Sequence, residues 1–165
     1  MKRVEDVFRY LQDNVLVIAT AESCTAGRII TLLAEMEGCG AHVECGYVVY
    51  SPEAKQRLLG VTSHTLANFN LTSEQVAREM ALGALGDSPA NVAVATTGIV
   101  GPIGMDGLPS GTVCFAWAFQ RSGKRAVFSR THRFFGDRAS MQIEASLYAL
   151  EGIATHHRRV LEGEG

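Results

Sequence analysis

No stretch of this chain is apolar for long enough to cross a bilayer, and its first residues, Met1-Lys2-Arg3-Val4-Glu5-Asp6, carry mixed charge where a signal peptide would be apolar. A cytoplasmic protein is the expectation. Charge of either sign is not in excess: 15 basic residues against 17 acidic leave a net charge of −2, with no basic stripe of the kind a phosphate backbone demands. Neither nucleic acid nor a membrane is therefore expected as a partner. Proline is scarce, at 4 residues, and there is no internal repeat, low-complexity tract or interdomain linker. The 4 cysteines, Cys24, Cys39, Cys45 and Cys114, form no paired framework and are expected as free thiols. Cys39, His42 and Cys45 lack a fourth ligand, and residues three apart on a strand point to opposite faces, so no metal is expected. Also missing are a Gly-x-Ser-x-Gly elbow, a Walker A motif and a dinucleotide fingerprint in its proper strand and helix context.

What is present is enough for one domain with its own core: 165 residues, 47% of them hydrophobic. Val4, Val7, Phe8 and Leu11 mark an opening amphipathic helix, and Val15 to Thr20 reads as a buried strand. A helix is expected to begin near Ser23, carrying Ile29, Ile30, Leu32, Leu33 and Met36 at helical spacing and stopped by Gly38 and Gly40. His42 to Tyr50 is β-rich, and Ser51-Pro52 signals a helix start with Lys55 in or just after its first turn. Thr72-Ser73-Glu74 opens a further helix to about Gly86, and Asn91 to Ala95 is another buried strand. Two late strands, Thr112 to Phe119 and Lys124 to His132, pair through Ser122-Gly123, and a helix from about Asp137 to Arg159 closes the chain. His156-His157 and Arg158-Arg159 are expected at its solvated end. The fold class is α/β: a single-domain layered sandwich, residues 1–165, with a mixed, mostly parallel sheet flanked by helices.

Chemistry is concentrated where strands give way to loops. Ser23, in Ala21-Glu22-Ser23-Cys24-Thr25-Ala26-Gly27, sits between a strand and a helix, where it serves either as a helix cap or as a nucleophile. No histidine stands in a triad context, so the base would be Lys55, whose proton affinity falls near a helix N-terminus and on burial. Tyr50 ends a strand close enough in sequence to relay a proton between them. Thr97 to Gly111, with 5 glycines and 2 prolines, is the longest irregular segment and offers backbone N–H groups to a phosphate or an oxyanion. Solvated charge, core-edge aromatic and surface loop remain the bland alternatives for these features.

The ordered motifs Ala21-Glu22-Ser23-Cys24-Thr25-Ala26-Gly27, Gly46-Tyr47-Val48-Val49-Tyr50-Ser51-Pro52-Glu53-Ala54-Lys55, Gly98-Ile99-Val100-Gly101-Pro102, Gly111-Thr112-Val113 and Gly136-Asp137-Arg138 give the chain a nearly full-length match. It resembles the CinA C-terminal domain family, whose stand-alone members include nicotinamide mononucleotide deamidases. The resemblance implies hydrolysis of the carboxamide of nicotinamide mononucleotide to nicotinic acid mononucleotide and ammonia, without a metal or cofactor. It places the nucleophile at Ser23, a tyrosine at Tyr50 and a lysine at Lys55, with Thr25, Thr97, Gly98, Gly101 and Arg138 as substrate-binding positions, and it makes a homodimer a reasonable expectation. The chain departs from the family pattern at Ala26, Thr97 and Val100. Leu108 and Gln142 also stand where basic residues are usual, which opens two alternatives: an amidase acting on another small amide, and a nucleotide-binding or interaction module without turnover. Cys24, beside the serine, carries a weaker suggestion of redox control.

Overall fold

Alternation of large and small side chains along the strands decides how this molecule is layered. The structure, a computed structural model, describes residues 2–165. Its helices are α1 (Lys2–Asp13), α2 (Arg28–Ala34), α3 (Pro52–Leu59), α4 (Ser63–Asn68), α5 (Glu74–Asp87) and α6 (Arg138–Leu161), with a short 3₁₀ turn at Cys39–Ala41. The strands are β1 (Ile18–Glu22), β2 (Val43–Val48), β3 (Val92–Gly98), β4 (Thr112–Arg121) and β5 (Lys124–Arg133), in the order β2-β1-β3-β4-β5. β1 lies parallel to both β2 and β3, whereas β4 is antiparallel to β3 and β5. Only β4 is reversed, so the sheet is mixed and mostly parallel in direction.

Successive strand residues face opposite sides. On one side Val92, Val94, Phe115, Trp117 and Phe119 pack beneath α1, α2 and α6. On the other, Ala19, Ala21, Ala93, Ala95, Ala116 and Ala118 meet α5 through its own Ala77, Ala81 and Ala84. The alanine face lets that helix lie close. A side chain at Gly83 would strike the Leu59 carbonyl, so α3 and α5 also touch through backbone.

Four expectations shift. The first strand starts at Ile18 because Val15, at φ 52°, lies in the left-handed region and is exposed; Asn91 brackets that bend, accepting from Val17 N–H at 2.8 Å and donating to Val15 O at 3.1 Å. The helix expected near Ser23 begins only at Arg28, because Ala26 (φ 54°) and Gly27 (φ 89°) are both left-handed. Helix α4, short and polar, has no counterpart in the sequence reading. Finally, His156 and His157 are buried rather than solvated. His156 stacks on Phe128 at 5.1 Å between ring centroids and tilts against Trp117 at 4.4 Å. His157 shares a 3.0 Å hydrogen bond with Tyr10 Oη. The 24-residue α6 must cover the full length of the large-residue face, and its last turns carry these rings onto it.

The expected cap signals hold at Ser51 and Ser73, which accept from the N–H groups of Ala54 and Val76 at the starts of α3 and α5; Asp137, expected only as the approximate start of the last helix, caps α6 by accepting from Ser140 N–H. The Ser122-Gly123 turn, with φ 49° and 75°, has the doubly left-handed geometry that suits a two-residue hairpin. All 4 cysteines are free, and no metal-binding group of His, Cys, Asp and Glu occurs among the described residues. No described helix is long and apolar enough to cross a membrane.

Candidate active site

The parallel register brings three strand ends to one edge: Glu22 at the end of β1 lies opposite Val48 in β2 and Thr96 in β3. Beyond that edge the ladder continues for one step, with Ser23 N–H donating to Thr96 O at 3.0 Å and Val49 N–H donating to Glu22 O at 2.9 Å. Ser23, Tyr50 and the Thr97-Gly98 pair are thereby gathered at the carboxyl end of the parallel strands, where open α/β sheets hold ligands.

Lys55 reaches this edge because α3 starts at Pro52. A helical side chain leans toward its own N-terminus, and the Lys55 stem runs back over the turn that precedes the helix. Its Nζ stands 3.1 Å from Ser23 Oγ, 2.8 Å from Tyr50 O and 3.3 Å from Val49 O. The side chain is buried, and no salt bridge to it occurs among the described residues. Burial without a counter-ion holds its proton affinity below the ordinary lysine value. An ammonium has three N–H donors for three neighbours; a neutral amine keeps two donors for the carbonyls and turns its lone pair to the serine hydroxyl. The two carbonyls would thus leave the lone pair of a neutral Lys55 facing Ser23 Oγ.

Glu22, which the sequence reading passed over, holds the serine turn from below. Wholly buried, its carboxylate accepts from Thr25 Oγ1 (2.6 Å), Thr20 Oγ1 (3.2 Å), Ile29 N–H (3.0 Å) and Ile30 N–H (3.2 Å). It does the capping that was the bland alternative for Ser23, from seven residues upstream of Ile29. Two consequences follow. Ser23 is released from capping, and the N-terminal N–H groups of α2 are already occupied, so they are not available to a developing oxyanion. Around the cleft, the main-chain N–H groups of Cys24, Val100 and Gly101 have no acceptor among the described residues.

A cleft of about 280 Å³ opens over Ser23. Tyr50, Lys55, Thr97, Gly98, Gly101 and Arg138 all line it. Thr97 Oγ1 is spent on Leu71 O at 2.9 Å, so its main contribution is backbone. The Tyr50 ring is half exposed, and its phenol has no hydrogen bond among the described residues; the group that grips Lys55 is its carbonyl. Arg138, the first residue of α6, is exposed and free of any salt bridge among the described residues, while Asp137 is occupied as the cap. Thr25 does not line the cleft: it is buried, bound to Glu22 and 2.8 Å from Thr96 Oγ1. Leu108 and Gln142 are likewise absent from the lining. Leu108 closes a small hairpin with Met105, and Gln142 is buried behind the serine turn. Burial pushes the Cys24 thiol up to about 12, which weighs against the redox control suggested for it.

Nearly the whole chain has similar sequences and structures among known proteins. The model of the CinA C-terminal domain matches residues 1–156. The chain is 43% identical over 159 residues to a CinA-like protein of Chlorobium limicola, covering 95% of the chain but only 37% of that longer protein. It is 40% identical over 152 residues to the nicotinamide-nucleotide amidohydrolase PncC of Escherichia coli K12, covering 92% of the chain and 90% of that protein. Among solved structures, a CinA superfamily protein from Klebsiella pneumoniae superposes with a TM-score of 0.85 at 35% identity, covering 92% of each chain.

Proposed function

The chain belongs to the CinA C-terminal domain family, and from that premise we propose that it is a nicotinamide-nucleotide amidohydrolase with Ser23 as nucleophile and Lys55 as base. The observation that carries the mechanism is the 3.1 Å approach of a buried Lys55 Nζ, lacking a salt bridge among the described residues, to Ser23 Oγ. In its neutral form Lys55 donates to the Val49 and Tyr50 carbonyls and takes the Ser23 proton as Ser23 attacks the carboxamide carbon. The Cys24, Val100 and Gly101 N–H groups are the donors we assign to the developing oxyanion. Collapse of the tetrahedral intermediate expels ammonia, which takes up the proton carried by Lys55. Water then hydrolyses the acyl-enzyme with Lys55 again as base.

Transfer from Ser23 to Lys55 is direct in this account. Tyr50, expected as a relay, is left with a phenol at the cleft wall that can meet the leaving group or the substrate ring. Arg138, Gly98 and Gly101 are assigned to the substrate's phosphate and sugar side. The positively charged pyridinium of the substrate further favours an uncharged Lys55. Leu108 and Gln142 do not line the cleft, which supports the mononucleotide over a different small amide.

Ammonia release from nicotinamide mononucleotide, run beside nicotinamide, nicotinamide riboside and Ser23→Ala, tests the proposal. Release from the mononucleotide alone, abolished in the variant, is expected. Binding without release would instead identify a non-catalytic nucleotide module. Cytoplasmic location and a homodimer complete the proposal, and light scattering on the purified protein checks the second.

A further inference from the structure

Three consecutive peptide groups around Ser23 are each pinned by a hydrogen bond. The first is held by strands β2 and β3 through Glu22 O and Ser23 N–H, and the second by Ala26 N–H, which donates to Ser23 O at 3.1 Å. The third, joining Cys24 to Thr25, has a single anchor outside the turn. Gln142 Nε2, from the second turn of α6, donates to Cys24 O at 2.9 Å, and no other donor reaches that carbonyl among the described residues. Both residues are buried, so water cannot readily take the place of the amide. The opposite end of the amide is fixed as well, since Gln142 Oε1 accepts from Arg28 Nε at 3.3 Å at the head of α2. This pair of bonds sets the amide orientation, with nitrogen toward Cys24 and oxygen toward Arg28.

We propose that Gln142 is a positioning residue for the nucleophile: by holding the Cys24 carbonyl it fixes the turn on which Ser23 Oγ meets Lys55 and from which Cys24 lines the cleft. It also ties that turn to the helix whose first residue, Arg138, lines the same cleft. Without the donor, a buried carbonyl is orphaned, and the turn rotates to find a partner. Ser23 Oγ moves with it, away from Lys55. The core contacts of α6 through Met141, Ala145, Ala149, Leu150 and Ile153 stay in place, so the fold survives the change.

This inference rests on the proposed serine mechanism, and the experiment separates the two. Gln142→Met keeps the length and removes both polar bonds; Gln142→Glu keeps an acceptor for Arg28 and removes the donor to Cys24. Three quantities are measured for each: kcat and KM for ammonia release from nicotinamide mononucleotide, the rate of Ser23 labelling by a fluorophosphonate, and the melting curve. Displacement of a reacting atom by about 1 Å lowers rates about a hundredfold. Both variants are therefore expected to lose roughly ten- to a hundredfold in kcat and in labelling rate, with KM within about twofold and a cooperative melt. Wild-type kcat and labelling in either variant would overturn the assignment, as would a loss confined to KM. A wild-type protein labelled at Ser23 that releases no ammonia overturns the substrate but leaves the labelling comparison to decide the role of Gln142. If wild type is neither labelled nor active, the serine mechanism falls and the positioning role with it.

Discussion

Replacing Lys55 with Met should abolish catalysis, and the stability difference from wild type should depend on pH with a defined sign. Loss of a positioned general base lowers the rate by about 10²- to 10⁴-fold. For stability, burial disfavours the charged form of Lys55, so the folded state holds this proton less tightly than the unfolded chain does. Each tenfold loss of proton affinity costs about 1.4 kcal/mol at any pH below the folded value, and Met is free of that cost. Against this relief, the Val49 and Tyr50 carbonyls lose a donor, at about 1 kcal/mol each. The terms oppose one another, and their balance shifts with pH. As pH rises through the folded value toward the ordinary 10.5, the unfolded chain binds more protons than the native one, and wild type gains stability that the variant cannot. The Tm of Lys55→Met minus that of wild type must therefore fall between neutral pH and pH 10.5. Ammonia release and thermal melts across that interval measure both effects. Retention of a tenth or more of the activity, or a Tm difference that rises with pH, would refute the reasoning.

Other consequences are equally direct. Arg138→Ala should raise KM for the mononucleotide about ten- to a hundredfold with little change for the riboside, as steady-state kinetics on the two would reveal. The His156 imidazole is held down to about 4, first by burial and then by Arg159 and Arg130. The native state therefore binds fewer protons than the unfolded chain between the ordinary 6.5 and about 4, and stability is lost as pH falls through that window, by up to about 2–3 kcal/mol. Urea midpoints for His156→Phe should show a shallower decline over the same interval. Ala26, at φ 54°, carries left-handed strain of about 1–2 kcal/mol, partly offset in a glycine by chain entropy of about 0.5–1 kcal/mol. Ala26→Gly is expected to raise stability by up to about 1 kcal/mol in denaturant melts.

Features governed by neighbours in sequence were legible without the structure. Ser51 and Ser73 cap helices through hydrogen bonds that span only three residues, and the hairpin turn at Ser122-Gly123 carries its own backbone preference. The α2 start was not legible for the opposite reason. Its carboxylate cap, Glu22, precedes the helix by six residues and looks from the sequence like another strand position. His156 and His157 follow polar patterning to the end of α6, and only the breadth of the aromatic face beneath them shows why they are buried. Ser23, Tyr50 and Lys55 could be singled out as residue types at strand and helix ends. The 3.1 Å meeting of Ser23 with Lys55 depends on the register of β1 against β2, which is a tertiary fact. Gln142 illustrates the same limit: its position along α6 is visible in sequence, whereas its contact with Cys24 belongs to the packing of one helix on a turn.

The unequal faces of the sheet make the protein vulnerable to opposite kinds of error on its two sides. Beneath α6, where Phe115, Trp117 and Phe119 fill the space, damage comes from subtraction: trimming a ring leaves a void, and the cost grows with the volume left empty. Beneath α5, where Ala93, Ala95, Ala116 and Ala118 meet a helix of small residues, damage comes from addition, since even one extra methylene must push a helix away. Drift toward larger residues is thus barred on one face and drift toward smaller ones on the other. A change on the alanine side would also be felt far from where it occurs, because α5 lies against α3, the helix that carries Lys55 to Ser23.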